Sequence, residues 1–125
     1  MLLKDKLNLM IDIDGTVSDD ISNEESHKFI TASVIDGAVE KVNKLYSEGH
    51  IITFFTSRIE EHRKDTEEWL NNNNFKYHQL LMGKPRGGNY VWIDNLNVDG
   101  VHFKNNWEST YKEIQVLIKN RCNGT

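Results

Sequence analysis

The chain has a single cysteine, Cys122, in 125 residues. One thiol cannot form an internal disulfide, and that suits a reducing, cytoplasmic setting. It also has a single proline, Pro85, which cannot sit inside a helix and stiffens the backbone where it stands. Long apolar runs are missing: a stretch such as 51–55 (IITFF) is only strand-length, so no segment reads as a membrane span. The first residues do not read as a signal peptide, because Lys4, Asp5 and Lys6 break the apolar stretch and no small-residue cleavage site follows. Dense basic blocks are absent too, and 15 basic against 19 acidic residues give a net charge of −4. This argues against broad binding to nucleic acid or to an anionic membrane, while leaving room for a local pocket for a small anion. There is no repeat, no low-complexity tract and no linker.

What remains is the size and composition of one soluble globular domain over 1–125, with 38% hydrophobic and 27% charged residues. Apolar runs alternate with helical stripes. Residues 7–13 (LNLMIDI) and 51–56 (IITFFT) read as strands, the second apolar enough to be buried on both faces. Residues 77–82 and 90–94 (YVWID) read as third and fourth strands, and 100–104 as a short edge strand. Helices are expected over 37–48, closed by Gly49, then from Ile59 to Leu70, and from Trp107 to Ile118. The four-Asn run at 71–74 reads as a helix end, since Asn tolerates left-handed geometry. Strand and helix in alternation imply right-handed crossovers and a mostly parallel sheet covered on both faces, a three-layer α/β/α, Rossmann-like sandwich. Ligands of such sheets bind beyond the carboxyl ends of the strands. Those ends carry Asp12-Ile13-Asp14, Thr56-Ser57-Arg58, Gly83-Lys84-Pro85 and Asp94-Asn95.

The acidic stretch Asp12-Ile13-Asp14-Gly15-Thr16 has several possible readings. A calcium loop fails on register: with Gly15 sixth, Met10 and Ile21 would occupy the first and twelfth positions, where carboxylates are needed. A dinucleotide fingerprint is absent, as no G-x-G-x-x-G follows the first strand. A receiver domain needs an acceptor Asp after a mid-chain strand, where this chain has Thr56, Ser57 and Arg58. A solvated turn accounts for D-x-D-G-T alone, but not for Thr, Lys and Asp at successive strand ends.

The ordered set resembles the haloacid dehalogenase superfamily, specifically its Mg2+-dependent phosphatases, over residues 8 to about 99. Asp12-Ile13-Asp14-Gly15-Thr16 matches the first motif, Thr56 the second, Lys84 the third and Asp94 the fourth. The resemblance implies that Asp12 is the nucleophile, forming an aspartyl-phosphate. It implies that Asp14 protonates the leaving oxygen and then accepts a proton from water, so Asp14 must be protonated when the ester binds. Mg2+ would be held by the Asp12 side chain, the Asp14 backbone carbonyl and Asp94. Lys84 would place a positive charge at the nucleophile and phosphoryl oxygens, and Thr56 would donate a hydrogen bond. The fourth motif departs from the commonest pattern, with Asn95 where many relatives have a second acid. Asn95 and Asp99 are left as candidates for hydrogen-bonding the metal's water.

Larger relatives insert a cap domain, but only 41 residues separate Asp14 from Thr56 and 25 separate Arg58 from Lys84. The chain therefore reads as capless, with 17–36 as a small flap whose Asp19, Asp20, Glu24 and Glu25 are solvated. Ser57, Arg58, Arg86 and Asn89 stand where the chain would approach a substrate, with Arg86 equally readable as a surface charge. His27, His62, His78 and His102 lack metal-ligand spacing and read as structural. Trp69 and Trp92 read as core. The substrate expected is a small phosphorylated metabolite such as a sugar phosphate, the open site being left to the flap or to a second subunit to close. The alternatives are a nucleic-acid 3′-end phosphatase and a non-catalytic phosphate- or metal-binding module.

Overall fold

A computed structural model describes residues 5–123. Its sheet has three parallel strands in the order β1 (Asn8–Ile11), β2 (Ile51–Phe55), β3 (Gln79–Leu81). Around it run three helices: α1 (Ala38–Ser47), α2 (Arg63–Asn72) and α3 (Trp107–Asn123). Short 3-10 turns at Asn23–Lys28 and Glu60–His62 complete the regular structure. The result is a small α/β domain.

Each element follows from its sequence. β2 is the middle strand, and its Ile52, Thr53 and Phe54 are buried, as an apolar run between two neighbours requires. In α1, Ala38, Val42 and Leu45 fall at helical spacing and are fully buried. Gly49 ends that helix at φ +98°, a left-handed turn that a side chain would strain. After α2, Asn74 takes φ +65°, as the Asn run implied. Trp69 and Leu70 of α2 reach the same core as Ile13, Val17 and Phe54. The Trp69 ring stacks on Phe75, with centroids 5.5 Å apart. α3 is tied to α1 by Tyr111, whose hydroxyl donates to Glu48 at 2.5 Å. Burial and that carboxylate together raise the phenol to about 12.

Two expected strands are not strands. Residues 90–94 form no ladder among the described residues, and Val91 and Ile93 are 83% and 92% exposed. Strand preference is a matter of packed neighbours, and here local bonds replace them. The Tyr90 hydroxyl donates to the Pro85 carbonyl at 2.6 Å, and the Trp92 indole to Asp94 at 3.0 Å. Gly87 and Gly88 turn the chain outward just before, and Trp92, expected in the core, is half-exposed. Residues 100–104 keep the alternation of a strand, with Val101 and Phe103 against the core, but pair with no strand among the described residues.

His50 shows how a buried histidine shapes stability. It follows α1, and its Nδ1 accepts the Leu7 backbone N–H at 3.0 Å. Burial, reinforced by the charge of Lys6, lowers its pKa below the ordinary 6.5. The unfolded chain therefore takes up this proton at higher pH than the folded one. Its contribution to stability is complete above pH 6.5 and declines as pH falls through the folded-state value. Thermal melts between pH 8 and 5 should show this decline. His50→Asn, which keeps an acceptor but does not titrate, should flatten it.

Candidate active site

The strand register decides what meets at the sheet edge. Ile11 pairs with Phe54, and Phe55 pairs with Leu81. Asp12, Thr56 and the 82–84 turn thus leave the sheet at one level. Past β1, Ile13 is fully buried and its carbonyl accepts the N–H groups of Thr16, Val17 and Ser18 at 2.9–3.1 Å. Gly15 stands at φ +84° in this tight turn. The turn holds Asp12 and Asp14 on either side of an anchored Ile13.

Asp12 accepts two hydrogen bonds, from the Thr16 hydroxyl at 3.0 Å and from Lys84 Nζ at 3.2 Å. Lys84 is fixed by its backbone, whose N–H donates to the Thr56 carbonyl at 2.9 Å. Its ammonium also lies 4.8 Å from the Tyr90 ring centre and 5.4 Å from that of Phe55. The Asp12 side chain stays 38% exposed, against 14% for Lys84. The Asp12 carboxylate is thus oriented from two sides and still open to solvent.

Asp14 is held differently. Arg58 Nε and Nη2 donate to its two oxygens at 3.0 and 2.8 Å, and Nη1 donates to the Thr66 hydroxyl at 3.0 Å. Arg58 is 1% exposed, and its guanidinium lies 3.8 Å from the Phe29 ring centre. Expected as a substrate contact, Arg58 instead spends its donors inside the protein. Thr56 is also buried, and its hydroxyl accepts the Arg58 backbone N–H at 3.1 Å.

An open pocket of about 470 Å³ lies over this edge, lined by Asp12, Asp14, Asp20, Ser57, Lys84, Arg86, Gly87 and Tyr90. Of the residues expected near a substrate, Ser57 and Arg86 line this pocket, whereas Asn89 is exposed outside the lining. Asp94 and Asn95 are exposed and also absent from it. The Leu96 backbone N–H and the Trp92 indole hold the Asp94 carboxyl below its ordinary range. Asp99 is paired with Arg121. Among the described residues, no group of three or more His, Cys, Asp or Glu side chains could hold a metal ion. Asp94 lies outside the pocket lining, so the residues as placed do not bring together the ligand set expected for Mg2+, the Asp12 side chain, the Asp14 carbonyl and Asp94.

The sequence reading did not identify Asp20 or Tyr90 as pocket residues, nor the partners of Arg58. A signal for one of these exists: Phe29 is the only Phe, Tyr or Trp in 17–36, where solvated chain needs none. Two of the histidines expected to be structural are placed so: His78 Nδ1 accepts the Ile52 N–H at 3.0 Å, and the His62 ring packs edge-on to Phe29.

The strand ends of this small α/β domain thus bring a carboxylate, a lysine and an arginine to one pocket. Residues 9–115 match the family model described as "PITM 1-3, LNS2 domain", and the chain belongs to that family. The LNS2 (Lipin/Nte1/Smp2) domain is a phosphatase domain. A search of curated proteins found no match. Among solved structures, a Vibrio cholerae protein determined as an MCSG target is similar at 20% identity and a TM-score of 0.57. The similarity covers 92% of this chain and 98% of that one. A chain of the Pnkp1/Rnl/Hen1 complex is similar at 21% identity and a TM-score of 0.56, over 72% of this chain and 31% of that one. A chain of the Pnkp1/Rnl/Hen1 RNA repair complex gives 18% and 0.56, over 90% and 32%. These likenesses show the fold. No helix among the described residues is long and apolar enough to cross a membrane.

Proposed function

We propose that this LNS2 domain is a phosphomonoester hydrolase of the haloacid dehalogenase type, a capless relative acting on a small phosphorylated metabolite such as a sugar phosphate. The observation that carries the reading is Asp12, open to the pocket and oriented by Lys84 and Thr16. In this reading Asp12 attacks phosphorus, forming an aspartyl-phosphate as the ester P–O bond breaks. Lys84 and Arg86 offset the charge gathered on the phosphoryl oxygens. The leaving oxygen takes a proton from Asp14. Water then gives its proton to Asp14, attacks the same phosphorus and restores Asp12. Asp14 must exchange an Arg58 bond for a proton to act as the acid.

Mg2+ enters as a proposed cofactor through the family resemblance; bound, it would offset charge between carboxylate and phosphate. A second reading, hydrolysis at a nucleic-acid 3′ end, is favoured by the Tyr90 ring, which offers a face on which a base could stack beside the phosphate.

The test is phosphate release from sugar phosphates and from oligonucleotide 3′-phosphates, each with Mg2+ and with chelator. A higher kcat/KM for a sugar phosphate supports the first reading, and a higher value for the oligonucleotide supports the second. Release from neither substrate with Mg2+ present would sink both. Activity indifferent to chelation would remove Mg2+ from the proposal.

A further inference from the structure

Arg58 sits between the candidate acid and the flap. On one side its Nε and Nη2 grip both oxygens of Asp14, at 3.0 and 2.8 Å. On the other its guanidinium carbon lies over the Phe29 ring, 3.8 Å from the ring centre. Thr66 on α2 fixes the third donor at 3.0 Å, and the Thr66 hydroxyl itself donates to the His62 carbonyl at 2.7 Å. Phe29 is fully buried and meets the His62 ring edge-on, with centroids 5.3 Å apart.

The flap is anchored around this contact. The Trp69 indole donates to the Ala32 carbonyl at 2.9 Å, Asp19 N–H to Ser33 at 3.0 Å, and Ile35 N–H to Val17 at 3.0 Å. The same segment places Asp20 in the pocket wall. One aromatic side chain therefore connects the segment bordering the pocket to the cation that holds Asp14.

We propose that Arg58 is a positioning residue for Asp14 and that Phe29 sets how firmly it holds. Packed Phe29 removes water from the guanidinium, which strengthens its bonds to Asp14 and keeps the carboxylate aimed. Displacement of Phe29 admits water and loosens these bonds, so the Asp14 carboxyl is no longer held in one orientation. The flap thereby bears on the aim of Asp14 through Arg58. This inference rests on the phosphatase reading for its kinetic consequence but not for the contact itself.

Two measurements test it on the full chain. The first is hydrogen exchange of the Arg58 Nε–H by NMR in wild type, Phe29→Leu and Asp14→Asn. Exchange is expected to be slow in wild type and at least about tenfold faster in both variants, since the proton loses its shield in one and its charged acceptor in the other. Equal exchange in wild type and Phe29→Leu would overturn the coupling. The second compares hydrolysis of glycerol phosphate, whose alkoxide needs protonation, with p-nitrophenyl phosphate, whose leaving group hardly does. Arg58→Lys should lower kcat for glycerol phosphate by roughly 10²-fold, with KM nearly unchanged and a much smaller loss for the nitrophenyl ester. Equal losses on both esters would reduce Arg58 to a structural role and overturn the positioning claim. If wild type hydrolyses neither ester, the phosphatase reading fails, and the exchange rates still decide the contact between Phe29 and Arg58.

Discussion

Asp12→Asn is expected to lower phosphate-ester turnover by at least about 10³-fold, the scale seen when a covalent nucleophile is lost. The substitution keeps the shape but leaves one oxygen, so with Oδ1 facing Lys84 the amide NH2 donates to the Thr16 hydroxyl, which serves as acceptor. What disappears is the negative charge that attacks phosphorus, and with it the charge facing Lys84. The variant should therefore fold with a melting temperature close to wild type while its kcat collapses. Its affinity for inorganic phosphate should hold or rise, because one repelling charge has left a pocket that keeps Lys84 and Arg86. Steady-state kinetics and calorimetric phosphate titration on one preparation would check both halves. Turnover persisting within tenfold of wild type would remove Asp12 from the nucleophile position.

The largest expected loss of stability follows Trp69→Ala. Trp69 is fully buried on α2, stacked on Phe75, and its indole donates to the Ala32 carbonyl. Truncation leaves a cavity and an orphaned carbonyl, together costing about 3–5 kcal/mol. A small domain with a total stability of roughly 5–15 kcal/mol has little left after such a loss. Urea unfolding should show the midpoint falling steeply. Because Ala32 belongs to the flap, hydrogen exchange in 29–35 should rise even at temperatures where the rest of the variant remains folded. Trp69→Phe, which restores most of the volume but not the donor, separates the two contributions.

Much of this arrangement could be read from the chain before any coordinates. The pattern of β1, β2 and β3 with three amphipathic helices is carried by local periodicity, which acts within each segment and needs no partner to be recognised. The Asp12 and Lys84 pair was legible because sheet topology sends consecutive strand ends to one edge. Asp94 was not placed by that logic. Its segment has the residues of a strand, but whether such residues form a ladder depends on neighbours that sequence spacing does not reveal. Arg58 failed for a related reason. An arginine beside a strand end serves equally as a ligand contact or an internal clamp, and the choice is made by Phe29 and Thr66, which lie 29 and 8 positions away.

The indole of Trp107 donates to the Thr16 carbonyl at 2.8 Å, a contact between residues 91 positions apart. Thr16 in turn holds Asp12, so the first residue of α3 supports the turn that aims the pocket. Together with Asp12–Lys84 at a separation of 72 and Asp14–Arg58 at 44, it makes the pocket a set of long chain closures. Closures of this kind complete only when the ends of the chain have been brought together, and they are slow compared with helix formation. The candidate site is consequently expected to form late in folding. A ribosome-bound chain that has not yet released α3 would carry both aspartates and lack the indole that supports their turn.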